Sequence, residues 1–196
     1  MGDMSRAESA AATRRALLDD AAELLDSGGP GAVTLREVGA RAGVSRGAPY
    51  RHFADKESLL TAVAAESWER IGDQMHSLQT DPRLLPADKL RAALIVLITV
   101  SRRQPYLYQL MFSTPAGDPA AVVRAAQRSC DEFVAIVASV FGEQNAQRYS
   151  AILLTGAHGA AGLELSGLLS TDKWHTTADE LIDTLLAMAA EADGRD

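Results

Sequence analysis

The sequence is short of the residue types on which several classes of protein depend. Its 196 residues include a single cysteine, Cys130, which excludes an intrachain disulfide and a zinc site built from cysteines. Aromatic residues make up only 5% of the chain, and β-branched residues are sparse beside alanine and leucine, which disfavours a sheet. We therefore expect an all-α protein in which Cys130 is a small, buried apolar residue.

Membrane segments and a general positive charge are also missing. The longest strongly apolar run, Ala92–Val100, is far too short to cross a bilayer, and the N-terminal "MGDMSRAESAAATRR" lacks the apolar core of a signal peptide. The formal net charge of −7 argues against a protein that coats nucleic acid through bulk charge, although it leaves room for a local basic cluster. We expect a cytoplasmic protein with no membrane partner.

The C-terminal half of the sequence contains none of the common catalytic or metal-binding motifs. It has no Glu-x-x-His pair, no His-Glu-x-x-His helix, no Gly-x-Ser-x-Gly elbow and no phosphate loop. His76, His158 and His175 lie far apart, so each is expected to be a surface or hydrogen-bonded residue. The sequence therefore predicts that the protein is not an enzyme and that it uses no metal or cofactor.

Hydrophobic periodicity and capping signals predict about nine helices and no strand. Met1 to about Ala12 is expected to be a frayed tail. The first helix is expected to start near Thr13, a candidate N-cap, and to end in the "SGGPG" of Ser27–Gly31. Thr34 (with Glu37 as a capping box), Ser45 and Asp55 are the predicted caps of the next three helices. The other predicted helices cover 35–42, 46–52, 56–78, 87–103, 105–112, 119–141, 143–169 and 173–192.

Residues 33–56 have the spacing of a helix-turn-helix. Gly39 is small enough for two helices to cross closely before the turn, and Gly43 suits a turn that needs a positive φ. The basic residues of this segment are Arg36, Arg41, Arg46, Arg51 and Lys56. Only Glu37 and Asp55 oppose them, and a local basic cluster on an acidic chain suits phosphate binding. A solvated helical hairpin with random charge is the alternative interpretation.

The stretch "TLREVGARAGVSRGAPYRHFADKESLLTAV" resembles the N-terminal DNA-binding domain of the TetR family of bacterial transcriptional regulators. The resemblance covers about Thr13–Trp68, and its most specific words are "AGVS", "YRHF" and "KESLL" in that order. It implies a three-helix DNA-binding domain followed by an all-helical bundle that dimerises and holds a small molecule. We expect these domains over 13–56 and 87–193, with a connecting helix and linker over 57–86.

The resemblance also implies a function. It implies a repressor that binds a double-stranded DNA operator as a homodimer and is released by a small apolar or amphipathic effector. A helical small-molecule-binding protein or enzyme that uses a C-terminal pocket is one alternative, and a constitutive architectural DNA binder is another. The missing catalytic groups count against the enzyme, and the acidic C-terminal half counts against the architectural protein.

Carried over residue by residue, the resemblance implies a set of DNA contacts. The predicted DNA-binding residues are Thr34, Arg36, Ser45, Arg46, Gly47, Ala48, Tyr50, His52 and Lys56. Tyr50 and Lys56 are assigned to phosphate. Arg46 is the first choice for a base, because arginine can donate two hydrogen bonds to guanine, and a phosphate contact is its open alternative. A structural hydrogen bond is the alternative for His52, and a surface ion pair that points away from DNA is one for Arg51.

Two positions depart from the family pattern. Gly39 stands where alanine is more usual, which is expected to loosen its helix. Pro49 stands where an aliphatic residue is more usual, and its ring is expected to press on the Ser45 carbonyl. We expect the result to be a short, stiff recognition helix.

The C-terminal half offers a candidate ligand site in "PYLYQLMF", which concentrates aromatic and soft apolar side chains. The predicted ligand-binding residues are Tyr106, Tyr108, Met111, Phe112, Phe133, His158 and Trp174. An ordinary core position is the alternative for each. His158 lies in "TGAHGAAGLELSG", which partly resembles a TetR subgroup with a Trp-His-Gly word, although Ala157 replaces the tryptophan. For His158, contact with a neighbouring helix is the favoured alternative.

Overall fold

The computed structural model describes residues 6–113 and 119–194. In these residues all regular secondary structure is helical, as expected. The helices are α1 (Arg6–Ala32), α2 (Leu35–Arg41), α3 (Ala48–His52), α4 (Lys56–Thr80), α5 (Pro86–Arg103), α6 (Pro105–Met111), α7 (Pro119–Phe141), α8 (Glu143–Leu165), α9 (Thr171–Trp174) and α10 (Ala178–Asp193). No described helix is both long and apolar enough to cross a membrane.

The chain divides into two compact units. The N-terminal unit comprises Met1–Ser67 and Tyr106–Arg124, and the C-terminal unit comprises Trp68–Pro105 and Ala125–Asp196. Helix α6 thus belongs almost wholly to the N-terminal unit, although it follows α5 directly along the chain. Each unit has its own buried side chains.

Helix α1 is longer than the sequence predicts. It begins at Arg6, so the expected frayed tail is wrong for residues 6–12, where alanine favours helix. Thr13 does not cap the helix; its hydroxyl donates to the Ser9 carbonyl at 2.9 Å, inside α1. The "SGGPG" segment breaks the regular helix as expected, because Gly29 adopts a φ of 69° and kinks the chain before Pro30.

The core of the N-terminal unit is built on one stripe of α1. Leu17, Ala21 and Leu25, spaced four residues apart, are fully buried. Helices α2 and α3 both pack against α1; Val38 of α2 and Phe53, the residue that follows α3, are buried. Burying a leucine side chain stabilises the fold by about 1.5–3 kcal/mol, so this stripe supports two helices that are too short to be stable alone.

Gly39 lets α2 and α3 approach each other closely. A Cβ atom at Gly39 would lie 2.6 Å from Cγ of Pro49, which is buried in the first turn of α3. The turn between the helices has the expected geometry: Gly43 adopts a φ of 66°, and the Val44 amide donates to the Gly39 carbonyl at 3.1 Å. The two departures from the family pattern therefore meet, because the glycine makes room for the proline ring.

Helix α3 is shorter than expected. It begins at Ala48 with Gly47 as the N-cap and no capping side chain, so the prediction that Ser45 caps it is wrong. The Ser45 carbonyl instead accepts from the Ala48 amide at 2.9 Å, in a turn ahead of the helix. Pro49 is tolerated because the first turn of a helix leaves its backbone donors without intrahelical partners.

The core of the C-terminal unit is formed by α5, α8 and α10, which contact one another. Leu94 and Leu153 are among its fully buried side chains. Gly156 permits a close approach of α8 and α10, since a Cβ atom there would lie 2.3 Å from Cδ2 of Leu185. The small residue at position 156 thus serves the packing of these two helices.

An ion-pair cluster ties α5 to α8 and to the start of α10. Arg102 Nε donates to Glu164 at 2.7 Å, and the same guanidinium also pairs with Asp179. The hydrogen bonds that Arg102 donates to Glu164 and Asp179 raise the pKa of its guanidinium. The cluster is partly exposed, so we assign it a positioning role rather than a large share of the stability.

The last predicted helix, over residues 173–192, is divided between two helices, α9 and α10. His175 adopts a left-handed conformation, with a φ of 51°, and ends α9 after Trp174. Thr177 then caps α10 through a reciprocal capping box with Glu180. Residues 6–113 and 119–194 thus contain ten helices where about nine are expected, because a serine- and threonine-rich stretch favours turns and caps over a continuous helix.

Candidate nucleic-acid interface

Two caps fix the helices that carry the candidate interface. The Thr34 hydroxyl accepts from the Glu37 amide at 3.1 Å and caps α2, as predicted. Asp55 accepts from the Ser58 amide at 2.7 Å at the start of α4, also as predicted. The Ser58 side-chain and backbone hydrogen bonds lower the pKa of Asp55, because they favour its ionised form.

A groove of about 450 Å³ lies between α2 and α3. We call it the α2–α3 groove; it is lined by Leu35, Arg36, Gly39, Ala40, Val44, Arg46, Pro49 and Tyr50. Arg36 and Arg46 are exposed, and Tyr50 is 59% exposed. In the described part of the chain neither arginine has an ion-pair partner. The groove thus places two uncompensated guanidinium groups and a phenol around an apolar floor.

Some basic residues of the segment 33–56 already have a partner within the protein. Arg41 donates from Nε to Asp20 at 3.1 Å and also pairs with Glu23, and these contacts raise its pKa. It therefore ties α2 to α1. A count of basic residues in the sequence therefore overstates the number of cations that can bind DNA. The sequence signal for this is the pair of carboxylates, Asp20 and Glu23, one helical turn apart on α1.

Lys56 has a local partner as well. It is half-buried at the first residue of α4, and its Nζ donates to the Pro30 carbonyl just after the kink in α1. An ammonium group has three donors, so this bond leaves others for an anion. His52 is half-buried at the end of α3, where its ring centroid lies 6.4 Å from that of Phe53.

The structure places all nine predicted DNA-binding residues in the N-terminal unit, but only some share a surface. Arg36, Arg46 and Tyr50 line the α2–α3 groove. Ser45 and Gly47 are exposed in the turn before α3, and Ala48 is half-buried. Pro49, interpreted from the sequence as a stiffening residue, also forms part of the groove floor.

The seven predicted ligand-binding residues fall into two groups. Tyr108 and Met111 are buried in the N-terminal unit, while Tyr106 and Phe112 are partly exposed there. The Tyr106 ring lies against Gly29, 3.1 Å from where a Cβ atom would be. The Tyr108 ring lies 4.8 Å from that of Phe112, and burial raises the pKa of Tyr108 to about 12.

The other three predicted ligand-binding residues lie in the C-terminal unit. Phe133 is buried and lines a cavity of about 30 Å³ that none of the other six residues line. His158 and Trp174 are exposed, and the Trp174 indole donates to the Leu168 carbonyl at 3.0 Å.

A second groove, of about 790 Å³, lies between α4 and α5 in the C-terminal unit. We call it the α4–α5 groove. It is lined by Asp73, Gln74, Ser77, Leu78, Arg91, Ala92, Ile95, Val96, Thr99, Val100, Arg103 and Gln104. None of these residues was predicted as a ligand contact. The sequence signal for this groove lies in the apolar run Ala92–Val100, where residues 92, 95, 96 and 99 recur at helical spacing on one face.

Comparison with known proteins gives two family matches. Residues 17–63 match the model described as bacterial regulatory proteins, tetR family. Residues 90–189 match the model described as tetracyclin repressor-like, C-terminal domain. The first match contains α2 and α3, and the second contains α8 and most of α5 and α10.

Individual proteins are similar over different lengths. The HTH-type transcriptional regulator AcrR of Shigella flexneri is 32% identical over 121 residues, which cover 60% of this chain and 56% of AcrR. The HTH-type transcriptional repressor KstR of Rhodococcus jostii (strain RHA1) is 32% identical over 98 residues, 50% of this chain and 45% of KstR. The chain thus spans about half the length of these relatives.

Solved structures are similar over nearly the whole chain. One of them is described as a protein with unknown function from Rhodococcus sp. RHA1 and superposes with a TM-score of 0.73. The alignment covers 93% of this chain and 94% of that protein at 25% identity.

Proposed function

This chain belongs to the TetR family of bacterial regulatory proteins, which are not enzymes, and we propose that it is a transcriptional repressor that binds operator DNA through the α2–α3 groove. The observation that carries the proposal is the pair Arg36 and Arg46, which flank the groove without an acidic partner in the described residues. Since the chain as a whole is acidic, a patch of this kind limits DNA contact to one face.

The proposed division of labour follows from the chemistry of each side chain. Arg46 reads a base, because its guanidinium can donate to two acceptors of guanine in the major groove. Arg36, Tyr50 and Lys56 hold phosphates and set the register of the protein on the duplex. The remaining contacts proposed from the family resemblance are Thr34, Ser45, Gly47, Ala48 and His52.

We propose that the protein acts as a homodimer. A single small DNA-binding domain binds DNA weakly, whereas the two DNA-binding domains of a dimer can bind two half-sites at once. Ile152 and Leu163 share one face of α8 and are 43% and 46% exposed, and Met188 on α10 is 63% exposed. A second copy that packs its own α8 and α10 on this surface would cover these side chains.

The proposal includes a small apolar or amphipathic effector that releases the protein from DNA. Tyr106, Tyr108, Met111, Phe112, Phe133, His158 and Trp174 stay the residues predicted from the sequence to contact it. The alternative is a helical small-molecule-binding protein that does not bind DNA. The available cations at the α2–α3 groove favour the repressor.

Selection of binding sites from random-sequence DNA tests the proposal without knowledge of the operator. The full chain should enrich a site with two related half-sites, and light scattering should give the mass of a dimer. Arg83→Ala is a suitable control, because Arg83 lies in the C-terminal unit and pairs with Asp81. Failure to enrich any sequence would contradict a repressor, and a monomeric mass at micromolar concentration would contradict the dimer.

A further inference from the structure

The α4–α5 groove has an apolar wall along one face of α5. Ile95, Val96 and Val100 are half-buried and line it, and Leu78 of α4 lies opposite. Helices α4 and α5 are joined by the short segment 81–85, and Lys89 Nζ donates to the Gln79 carbonyl at 2.7 Å beside it. The N-terminal end of α5 therefore lies at this connection, and its C-terminal end lies away from it.

The charged side chains of the groove are compensated at one end only. Arg91 Nε donates to Asp183 at 2.6 Å, and Asp73 accepts from Arg128 at 2.7 Å. Both therefore face the groove with their charges already paired. Arg103, in the last turn of α5, is exposed and has no ion-pair partner among the residues that the structure describes. One available guanidinium thus lines the apolar groove at the end of α5 that is away from the connection to α4.

The dimensions of the α4–α5 groove suit an elongated molecule. The lining of α5 runs from Arg91 to Gln104, and a rise of about 1.5 Å per residue puts about 16 Å between Ala92 and Arg103. The groove volume of about 790 Å³ lies in the range of small-molecule sites. A neutral ligand would leave Arg103 without a partner, and a cationic ligand would be repelled by it.

We propose that the α4–α5 groove binds an amphipathic anion, with a carboxylate on the Arg103 guanidinium and an alkyl chain along the apolar face of α5. The planar guanidinium can donate two parallel hydrogen bonds to a carboxylate. The alkyl chain removes Ile95, Val96 and Val100 from water. That this ligand is also the effector rests on the proposed function; the binding site itself does not.

Titration calorimetry with three probes of one chain length tests the site. Decanoate, 1-decanol and decyltrimethylammonium, each below its aggregation concentration, are titrated into the full chain. Decanoate should bind at one saturable site, and more tightly than either of the other probes. Arg103→Gln should weaken decanoate about tenfold or more, because a hydrogen-bonded charge pair is lost, and leave 1-decanol little changed. Arg103→Lys should retain part of the affinity, since the charge remains without the planar fork.

Two further variants distinguish binding in the α4–α5 groove from non-specific binding elsewhere on the protein. Thr99→Trp fills the apolar wall and should abolish binding of both decanoate and 1-decanol, while circular dichroism shows the parent's helix content. Arg124→Gln removes an exposed arginine of the N-terminal unit and should bind decanoate as the parent does. Equal affinity for the three probes, unchanged decanoate binding by Arg103→Gln, or no saturable binding by the parent would overturn the proposal.

DNA binding of the same preparations, measured without any probe, keeps the two proposals apart. If the parent binds no DNA but its decanoate affinity depends on Arg103, the anion site stands and the repressor proposal fails. If DNA binds but no variant alters decanoate affinity, the repressor stands and the anion site fails. Release of the parent from DNA by decanoate, and not of Arg103→Gln, would identify the groove as the effector site.

Discussion

The α2–α3 groove has a floor of small residues, whereas the α4–α5 groove has a wall of branched apolar side chains. Gly39 and Pro49 keep the first surface low, with Arg36 and Arg46 beside them. The second surface is mainly apolar and has one available cation, Arg103. A low surface with two available cations suits a large polyanion, and a long apolar groove with one available cation suits a small amphipathic anion. The following variants test whether that contrast holds.

The largest effect on the first groove should come from the double variant Arg36→Ala, Arg46→Ala. We expect DNA affinity to fall roughly a hundredfold or more, because base and phosphate contacts are lost together. Arg46→Ala alone should cost about 1–3 kcal/mol of binding free energy and relax the preference at one position of each half-site. Fluorescence anisotropy on the selected operator measures the affinity.

Arg41→Ala is the matched control, since Arg41 lies on α2 but pairs with Asp20 and Glu23 of α1. It should bind DNA nearly as the parent does. An equal loss of affinity in Arg41→Ala and Arg46→Ala would show that the ion pairs do not decide which cations meet DNA.

The second variant tests the contact between Gly39 and Pro49. Gly39→Ala places a Cβ atom 2.6 Å from a proline ring that cannot rotate away, so we expect the free energy of unfolding to fall by about 1–3 kcal/mol. Adding Pro49→Ala should recover most of that loss in a double-mutant cycle. Urea unfolding followed by circular dichroism measures both values.

Gly156→Ala is the informative comparison for this contact. Its Cβ atom would lie 2.3 Å from Cδ2 of Leu185, which is closer, but that atom ends a flexible side chain. We therefore expect Gly156→Ala to cost less than Gly39→Ala. The reverse order would mean that distance alone, rather than the stiffness of the neighbour, sets the cost.

A smaller effect is expected at Lys56, which has a partner within the protein. Lys56→Ala should weaken binding to all DNA sequences alike and lower the slope of log affinity against log salt by about one. An unchanged slope would show that Lys56 stays on the Pro30 carbonyl in the complex and serves only to hold the kink of α1.

The smallest effect should be a pH dependence at Asp55. Its folded-state pKa is lowered, so its ionised cap stabilises the fold above the unfolded-state value of about 3.9 and loses this contribution as the pH falls through the folded-state pKa. The difference in stability between the parent and Asp55→Ala should be constant near neutral pH and shrink below about pH 4. A difference that grows on acidification would exclude this role.

Much of the N-terminal unit could be predicted from local sequence. Thr34, Gly43 and Asp55 behave as predicted because caps and left-handed turns depend on neighbours three or four residues away. The predicted caps Ser45 and Thr13 were wrong for equally local reasons. Ser45 lies in a turn ahead of α3, and Thr13 lies inside a helix that begins earlier than predicted.

The larger groove could not be predicted in this way. Its lining combines two helices with compensating charges from α7 and α10, and partners such as Arg128 for Asp73 lie 55 positions away in sequence. Whether Arg103 can bind an anion depends on which carboxylates lie close to it in the fold. The periodicity of the sequence does not give that information. The same reason explains why Arg41, counted among the available cations from the sequence, is an internal tie.

The sequence by itself determined the helical fold, the turn at Gly43 and the family, because each depends on residue types at short, fixed spacings. The tertiary structure decided which charges stay uncompensated and which small residues are required. Gly39 is needed because Pro49 lies against it. Among the described residues Arg41 has ion-pair partners in Asp20 and Glu23, and Arg46 has none. Contacts and ion pairs act through space, and distance in space follows from the packing of helices that the local sequence does not specify.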